Sequence, residues 1–270
     1  MPFVFSNVST GFQIAFRSFF FRRAAGFLVT LAVATLLSAQ FSGRHPNTVA
    51  LDIGISVMRL TLPLFIILTT QELLSREFDH RYFLNTLSYP HTRHALILGR
   101  FTAITILTLG LLVVLATALA LLVWLIGKGY AQITPTALGR QYVVTIAFLG
   151  VDLLLLAAVA SLLAVVASTP SFVLIGTVGF MLVGRSFESI TELLIHNTSV
   201  VSDAESYRSG IGLLSYLLPN LGALDVRAIT LYGRMEFLPT DWPWLVLSSL
   251  SYAAGLLALA VWTLQRKRFA

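Results

Sequence analysis

The chain has 270 residues, of which 57% are hydrophobic and only 11% are charged, and its formal net charge is +6 at pH 7. Soluble domains carry about 25% charged residues, so this chain has too much apolar surface to bury around one aqueous core. The composition therefore predicts a single membrane-embedded domain over residues 1–270 rather than one or two soluble domains. The absence of cysteine excludes disulfides, thiolate metal sites and cysteine nucleophiles.

Six apolar stretches are long enough to cross a bilayer, whose ~30 Å core needs about 20 apolar residues per helix. They cover approximately Ala24–Phe41, Ile53–Thr70, Ala95–Ile126, Tyr142–Ala167, Phe172–Ile195 and Leu245–Leu264. We therefore expect an all-α, polytopic membrane protein with six transmembrane helices. Arg22-Arg23 before the first stretch resembles the start of a signal peptide, but about 20 residues precede it, which favours an uncleaved first span.

Residues 1–23, before the first span, carry a stripe of aromatic side chains. Phe12, Phe16, Phe19 and Phe20 recur at helical spacing. This pattern predicts an interfacial helix that lies along the cytoplasmic surface of the membrane. The alternative is a plain N-terminal extension of the first span.

Lysines and arginines lie mainly near the ends of the predicted spans. Six spans place both termini on one side, and ten of the basic residues fall on that side against six on the other. Because the more positive side of a membrane protein faces the cytoplasm, both termini are predicted to be cytoplasmic. The expected location is the inner (cytoplasmic) cell membrane.

The fifth predicted span becomes charged towards its end. It is apolar only to Gly184 and then carries Arg185, Glu188 and Glu192. A helix that continues beyond the membrane would explain these charges. A break followed by a re-entrant or interfacial piece would explain them equally well.

The longest loop, 196–241, separates the fifth and sixth spans. Its apolar patch Ile211–Leu224 is too short and too interrupted by glycine and proline to cross the membrane. We expect extracytoplasmic re-entrant or interfacial helices here, lying on or dipping into the bilayer surface. Trp242-Pro243-Trp244 follows at the position of an interfacial aromatic belt.

Charged residues within or near the spans are candidates for function, since an isolated charge there costs at least ~2.5–3.5 kcal/mol on insertion scales. The candidates are Arg59, Asp152, Arg185, Glu188 and Glu192. One hypothesis pairs Asp152 with Arg59 or Arg185 as part of a substrate path. A purely structural ion pair, or arginines that reach the headgroups, is the alternative.

Motifs for chemistry by the chain itself are missing from the sequence. The only Gly-Lys dipeptide, Gly127-Lys128, is followed by glycine rather than serine or threonine, so it is not a nucleotide-binding loop. Neither His-Glu-x-x-His nor Gly-x-Ser-x-Gly occurs. We therefore predict that the chain is not an enzyme and binds no metal or cofactor of its own.

A polar segment, residues 71–94, follows the second span. Within it Phe78 and Tyr82 lie four residues apart, as do Phe83 and Leu87, and charges of both signs fill the other positions. The pattern predicts a cytoplasmic amphipathic helix that suits docking into a groove of a partner. A solvated loop between two spans explains the same pattern equally well.

The same segment carries an ordered series of residues that leads into the third span. An acidic stretch precedes Leu-x-x-Pro-x-x-Arg and then Gly-Arg, and these elements are Glu72, Glu77, Leu87, Pro90, Arg93, Gly99 and Arg100. The series resembles the permease subunits of export-type ATP-binding-cassette transporters, of the second export type. Tyr216-Leu217-Leu218-Pro219-Asn220 and Asp225-Val226-Arg227 also resemble a stretch before the last span in some members.

This resemblance implies a permease that dimerises and binds two copies of a separate ATPase subunit, which would hold the ATP and Mg. The helix Arg76–Leu87 would be the coupling helix seated on the ATPase. Aromatic and apolar side chains, Phe78, Tyr82, Phe83 and Leu87, would fill the groove. Charged side chains, Glu72, Arg76, Glu77, Asp79 and Arg81, would hold the contact. The transported substrate would be a lipid, a peptide or a hydrophobic compound.

Two other functions are open at this point. Some relatives in that family, including permeases associated with copper-enzyme maturation, pass ATP-driven movement to an extracytoplasmic partner, and residues 185–241 would then form the docking surface. An ion-coupled secondary carrier would instead use Asp152, Glu188 or Arg59 as coupling groups.

Overall fold

The computed structural model describes residues 2–17, 20–43, 45–75, 93–129, 136–167, 169–196 and 219–266, and all regular structure in these ranges is helical. The α-helices are α1 (Pro2–Arg17), α2 (Phe20–Phe41), α3 (Pro46–Thr70), α4 (Arg93–Gly129), α5 (Arg140–Val166), α6 (Pro170–His196), α7 (Arg227–Tyr232) and α8 (Trp242–Arg266). A π-helical turn (Gln71–Ser75) continues α3, and a 3₁₀ turn (Met235–Phe237) follows α7. The predicted coupling helix, Arg76–Leu87, lies outside the described residues, as does most of the patch Ile211–Leu224.

Five of the helices in the described ranges are long and apolar enough to cross a membrane. They are Phe20–Phe41, Pro46–Leu74, His94–Lys128, Arg140–Val166 and Trp242–Arg266. The prediction of a polytopic, all-helical membrane protein is confirmed at this level. In α6 only Pro170–Ser186 is apolar, and this piece is shorter than the other five. The helix nevertheless continues without interruption to His196, so a break after Gly184 was the wrong explanation of the charged end.

Helix α3 is longer at both ends than the apolar run that predicted it. It begins at Pro46, where proline is favourable in the first turn, and therefore includes Asp52, which the predicted start at Ile53 left out. At its other end the chain stays helical through a π-turn in which Leu73 and Leu74 are fully buried. The first residues of the polar segment 71–94 are therefore helical and belong to the bundle, because two leucines there join the core.

Neighbouring helices pack antiparallel at close distance. Gly54 of α3 meets Leu119 of α4 with no room for a Cβ, and Gly127 of α4 meets Asn47 of α3. Helices α3 and α4 therefore run in opposite directions. Small residues allow helix axes to approach closely, which is the usual source of stability between helices in lipid.

The two ends of the bundle carry different elements. At one end Arg23 of α2 pairs with Glu72, and Gln71 donates to the backbone carbonyl of Pro170 at the start of α6. We call this the Glu72 end. At the opposite end the amide of Ala137 donates to the carbonyl of Thr230 in α7, before α5 begins. We call that the Arg227 end, since α7 begins at Arg227.

Helix α6 carries the chain from one end of the bundle to the other. Leu163 of α5 faces Gly176, and Asp152 of α5 pairs with Arg185, so α6 runs antiparallel to α5. The chain enters α6 at the Glu72 end and is at the Arg227 end when the description resumes at 219. Helix α8 then returns, because Ala260 and Leu264 pack with Val165, at the end of α5.

Helix α1 folds back across the Glu72 end. Gly11 contacts Ala103 of α4 and Leu73 of the π-turn. A straight extension of α2 would place Gly11 about 18 Å beyond Arg23, because an α-helix rises ~1.5 Å per residue. Arg23 instead pairs with Glu72, the neighbour of Leu73. The prediction of a plain extension of the first span is therefore excluded.

Tryptophans mark the borders of the apolar belt. On α8, Trp244 and Trp262 are both exposed. The 18 residues that separate them correspond to about 27 Å, close to the thickness of a bilayer core. Arg266 lies over the Trp262 ring, and Lys128 lies over the ring of Trp124, as expected where aromatic and basic groups meet the headgroups.

Candidate functional site

Six charged side chains form one connected group within the bundle. They are Asp52 and Arg59 of α3, Asp152 of α5, Arg185 of α6, Asp225 just before α7 and Arg227 at its start. We call this group the charge ladder. It contains three aspartates and three arginines, so its formal charge is zero.

The innermost rung joins Asp152 and Arg185. Arg185 Nη2 lies 2.5 Å from Asp152 Oδ2, and the Asp152 side chain is only 1% exposed. Arg185 Nη1 also donates to the backbone carbonyl of Arg59, at 3.0 Å. That carbonyl needs a partner, because the residue four positions later is Pro63, which has no N–H to offer it. Arg185 thus neutralises a buried carboxylate and replaces a missing helix hydrogen bond.

The outer rungs connect α3 to the start of α7. Arg59 forms an ion pair with Asp225, and Arg227 Nη2 lies 3.1 Å from the same carboxylate. Arg227 Nη1 reaches Asp52 Oδ1 at 3.0 Å and donates to Ser56 Oγ at 2.8 Å. Asp52 and Ser56 are four residues apart, so they lie on one face of α3.

Exposure of the ladder is highest at one end and lowest at Asp152. The side chains of Asp52 and Arg227 are 43% and 36% exposed, those of Asp225 and Arg59 are 19% and 13%, and in the innermost rung Arg185 is 19% and Asp152 1% exposed. The ladder therefore leads from a surface at the Arg227 end into the interior of the bundle.

The depth of Asp152 follows from the helix geometry. Asp152 precedes Val165 by 13 residues, which is about 20 Å along α5. Val165 lies at the level of Ala260 and Leu264, beside Trp262. Since the two tryptophan levels of α8 are about 27 Å apart, Asp152 lies roughly 7 Å inside the apolar belt, nearer the Arg227 end.

The segment 219–233 presents Asp225 and Arg227 because it is anchored on two helices, α5 and α6. Leu221 is fully buried and packs on Gly184 of α6. Thr230 is also buried, lies 2.6 Å from the Thr145 hydroxyl and donates to the carbonyl of Gln141, at 3.1 Å, both on α5. Gly233, with φ of 68°, ends α7 in the left-handed region that glycine tolerates.

Polar contacts also brace the Glu72 end. Arg23 Nη2 lies 2.5 Å from Glu72 Oε1, and the Glu72 side chain is 8% exposed. Gln71 Nε2 donates to the Pro170 carbonyl at 2.8 Å. These two contacts, which we call the Glu72 clamp, tie the end of α3 to the starts of α2 and α6.

The predicted ATPase-coupling residues are described only at Glu72, whose carboxylate is held by Arg23 within the chain. Its contact with an ATPase stays a prediction. The remaining members lie outside the described residues, and they are Arg76, Glu77, Phe78, Asp79, Arg81, Tyr82, Phe83 and Leu87.

The intramembrane candidates fare differently. Arg59, Asp152 and Arg185 come together. The sequence suggested Arg59 or Arg185 as the partner of Asp152, and the structure pairs it with Arg185. Glu188 and Glu192 lie on the described backbone of α6, but their side chains are outside the description.

Half of the ladder was missed by sequence reasoning. Asp52 was placed in a loop, and Asp225 and Arg227 entered only as part of a resemblance. One signal was available, because Asp52 and Arg59 are seven residues apart and therefore share a face of a helix.

The arrangement consists of ion pairs. Every ladder carboxylate contacts an arginine. In the described part of the chain, no group of three His, Asp or Glu side chains lies close enough to hold a metal ion. Two buried atoms of the innermost rung, Asp152 Oδ1 and Arg185 Nε, have no hydrogen-bond partner. The rung thus offers one acceptor and one donor to a further polar group.

Comparison with known proteins gives no family for this chain. No protein-family model matches it, and no curated protein matches its sequence. Its function must therefore be inferred from its own residues and their geometry.

Proposed function

We propose that the chain is the permease subunit of an ATP-binding-cassette exporter. Two copies would pair, bind two copies of a separate ATPase subunit that holds ATP and Mg, and move a lipid, a peptide or a hydrophobic compound out of the cell. The main support is the family-like motif, whose elements run from Glu72 to Arg100. The described residues that flank the segment 76–92 belong to the π-turn after α3 and to the start of α4, and both lie at the Glu72 end.

A six-span topology is part of this proposal. Five helices meet the length and hydropathy expected of spans, and α6 is the sixth candidate. Helix α6 has 27 residues, as α5 does, so each is about 40 Å long. Since α6 runs antiparallel to α5 and the chain continues at the opposite end, the proposal counts α6 as a crossing despite its charged second half.

In the proposed orientation the protein lies in the inner cell membrane and its Glu72 end faces the cytoplasm. The described basic residues at that end are Arg17, Arg22, Arg23, Arg93, Arg100 and Arg266. The positive-inside rule then makes both termini cytoplasmic. Helix α1, folded across this end, would lie at the cytoplasmic membrane surface.

The Glu72 clamp explains how movement of the segment would reach the membrane. Before the segment, the Arg23–Glu72 and Gln71–Pro170 contacts connect it to α2 and α6. After the segment, Ala95, Leu96 and Ile97 of α4 are buried. A displacement of the described residues on either side of the segment would therefore move packed helices. Helix α3 extends this connection to the charge ladder.

Uncoupling tests this assignment. The permease would be reconstituted with the ATPase subunit encoded beside it, and ATP hydrolysis and substrate efflux would be measured together. Phe78→Ala/Tyr82→Ala should leave hydrolysis by the ATPase intact but remove its link to efflux. Phe41→Ala, which removes an exposed aromatic ring at the opposite end, is the matched control. Efflux that stays coupled in the double variant would contradict the coupling-helix assignment.

A mechanical role is the second candidate, favoured by an aromatic surface at the Arg227 end. Tyr232 and Phe237 are exposed and their ring centroids are 5.6 Å apart. They project from the anchored segment 219–241, where an extracytoplasmic partner could receive ATP-driven movement. Co-purification of one defined extracytoplasmic protein, lost in Tyr232→Ala/Phe237→Ala, would favour this role over export.

An ion-coupled carrier is the third candidate, favoured by the buried Asp152–Arg185 rung with its unpartnered atoms. Such a carrier would transport without an ATPase. Proton-driven uptake or efflux in vesicles that contain this chain alone would favour it, and a strict requirement for ATP would exclude it.

A further inference from the structure

We propose that the charge ladder lines a water-filled vestibule within a single chain. The vestibule opens at the Arg227 end and ends at Asp152. Its walls are the Asp52–Arg59 face of α3, the start of α7 and α6 at Arg185. It concerns one chain only and does not depend on a partner ATPase.

The ladder joins a deep charge to exposed ones. Asp152 lies roughly 7 Å inside the apolar belt, and the Arg59–Asp225 rung between it and the surface is partly exposed. Lipid tails provide no hydrogen bonds to such groups, so charged side chains at this depth face protein or a water-filled space. Exposure is greatest at Asp52 and Arg227, which places the opening at that end.

The second argument comes from atoms that lack partners. Asp152 Oδ1 and Arg185 Nε are buried without a hydrogen bond. Buried polar atoms nearly always have a protein or water partner, and one water can accept from Nε and donate to Oδ1. Water at this point marks the inner end of the vestibule.

Tight packing closes the vestibule beyond Asp152. Towards the Glu72 end, Gly176 of α6 lies so close to Leu163 of α5 that an added Cβ would be 2.8 Å from a leucine methyl. Thr177, next to it, is fully buried. The space is therefore a pocket open on one side rather than a continuous pore.

The balance of charge defines what the vestibule admits. With three aspartates and three arginines, its net charge is zero, so its field is weak at a distance and favours neither sign of solute. It would take water and small hydrophilic groups of either charge, such as the polar end of an amphiphilic substrate. A vestibule with excess arginine would favour anions instead.

Cysteine labelling tests the proposal directly, because the natural chain has no cysteine. Single variants of the full chain in membrane vesicles would be treated with membrane-impermeant cationic and anionic methanethiosulfonates, added from either side. Ser56→Cys probes the ladder face of α3. Leu60→Cys, one turn further along the same helix and 58% exposed, is the apolar control, since Leu60 takes no part in the ladder contacts. Thr177→Cys probes the closed end.

The expected result is one-sided labelling. From the Arg227 side, Ser56→Cys should react about fiftyfold faster or more than Leu60→Cys, since a thiolate in lipid is penalised by ~2.5 kcal/mol, at ~1.4 kcal/mol per tenfold. Both reagents should react at similar rates, and Thr177→Cys should stay unlabelled. Asp52→Cys, one turn nearer the opening, is a second probe and should label faster still.

Other outcomes would overturn the proposal. Ser56→Cys and Asp52→Cys that react no faster than Leu60→Cys would show that the ladder is dry. Labelling of Ser56→Cys from both sides, or of Thr177→Cys, would show a through path instead of a closed vestibule. Monodisperse elution in detergent and full labelling after denaturation confirm that each variant is folded and carries its thiol.

Discussion

The Asp152–Arg185 rung makes a stability prediction that separates ion pairing from backbone support. Arg185 has two roles, because it pairs with Asp152 and donates to the Arg59 carbonyl that Pro63 leaves without a helix partner. Removing either charge alone leaves the other charge buried. The two single variants and the double variant should therefore not be additive.

The magnitudes follow from the contacts. Asp152→Leu leaves a partly buried guanidinium, and breaking a fully buried pair in this way costs about 3–5 kcal/mol, which is the upper bound here. Arg185→Met leaves a buried carboxylate, and it also leaves the Arg59 carbonyl without a donor, which adds about 1–3 kcal/mol. The double variant has no buried charge and retains only that carbonyl cost, about 1–3 kcal/mol. It should therefore be more stable than either single variant.

A third substitution isolates the carbonyl. Pro63→Ala restores the N–H that can bond to the Arg59 carbonyl, so in the double-variant background it should recover about 1–3 kcal/mol. The thermal midpoints of the four variants and the wild type would be compared in detergent, with size-exclusion chromatography as the measure of folded protein after heating. If the double variant lost as much stability as the two single variants together, or if Pro63→Ala recovered none, the roles assigned to Arg185 would be refuted.

Three further predictions address the packing around the site. Arg227→Ala removes the contacts to Asp52 and Ser56, so amide hydrogen exchange should accelerate over residues 225–233 and stay the same in α4. Unchanged exchange over residues 225–233 would contradict anchoring by the ladder. Glu72→Ala should lower the free energy of unfolding by about 1 kcal/mol or slightly more, and with it the thermal midpoint, since it removes a partly buried charged hydrogen bond to Arg23. Gly54→Ala should destabilise strongly because its Cβ would overlap Leu119, whereas the control Gly110→Ala, with open space around it, should be neutral or slightly stabilising. Equal midpoints for these two glycine variants would refute the close packing of α3 on α4.

The sequence predicted the helices well because lipid-exposed helices must be apolar along their length. The errors came where a polar residue has a distant partner. Helix α3 includes Asp52 because Arg227, 175 positions away, supplies the opposite charge. Local hydropathy shows no such partner, so the predicted span began after the aspartate.

The continuity of α6 was undecided for the same reason. From the sequence, the charge after Gly184 indicates the end of a span. In the structure, Asp152 of α5 pairs with Arg185 of α6, so the helix continues past this charge. The ladder as a whole depends on contacts among α3, α5, α6 and the start of α7. Such contacts follow from the packing of the bundle, which residue spacing along one helix does not determine.

The central claim, that this chain is the membrane half of an ATP-driven exporter, is tested most directly by its assembly. The chain would be co-expressed with the ATPase subunit encoded beside it, extracted in mild detergent and weighed by native mass spectrometry. The account predicts a complex of two permeases with two ATPases, which disassembles in Phe78→Ala/Tyr82→Ala but not in Phe41→Ala. A chain that remains free of the ATPase, and that transports in vesicles without ATP, would contradict it.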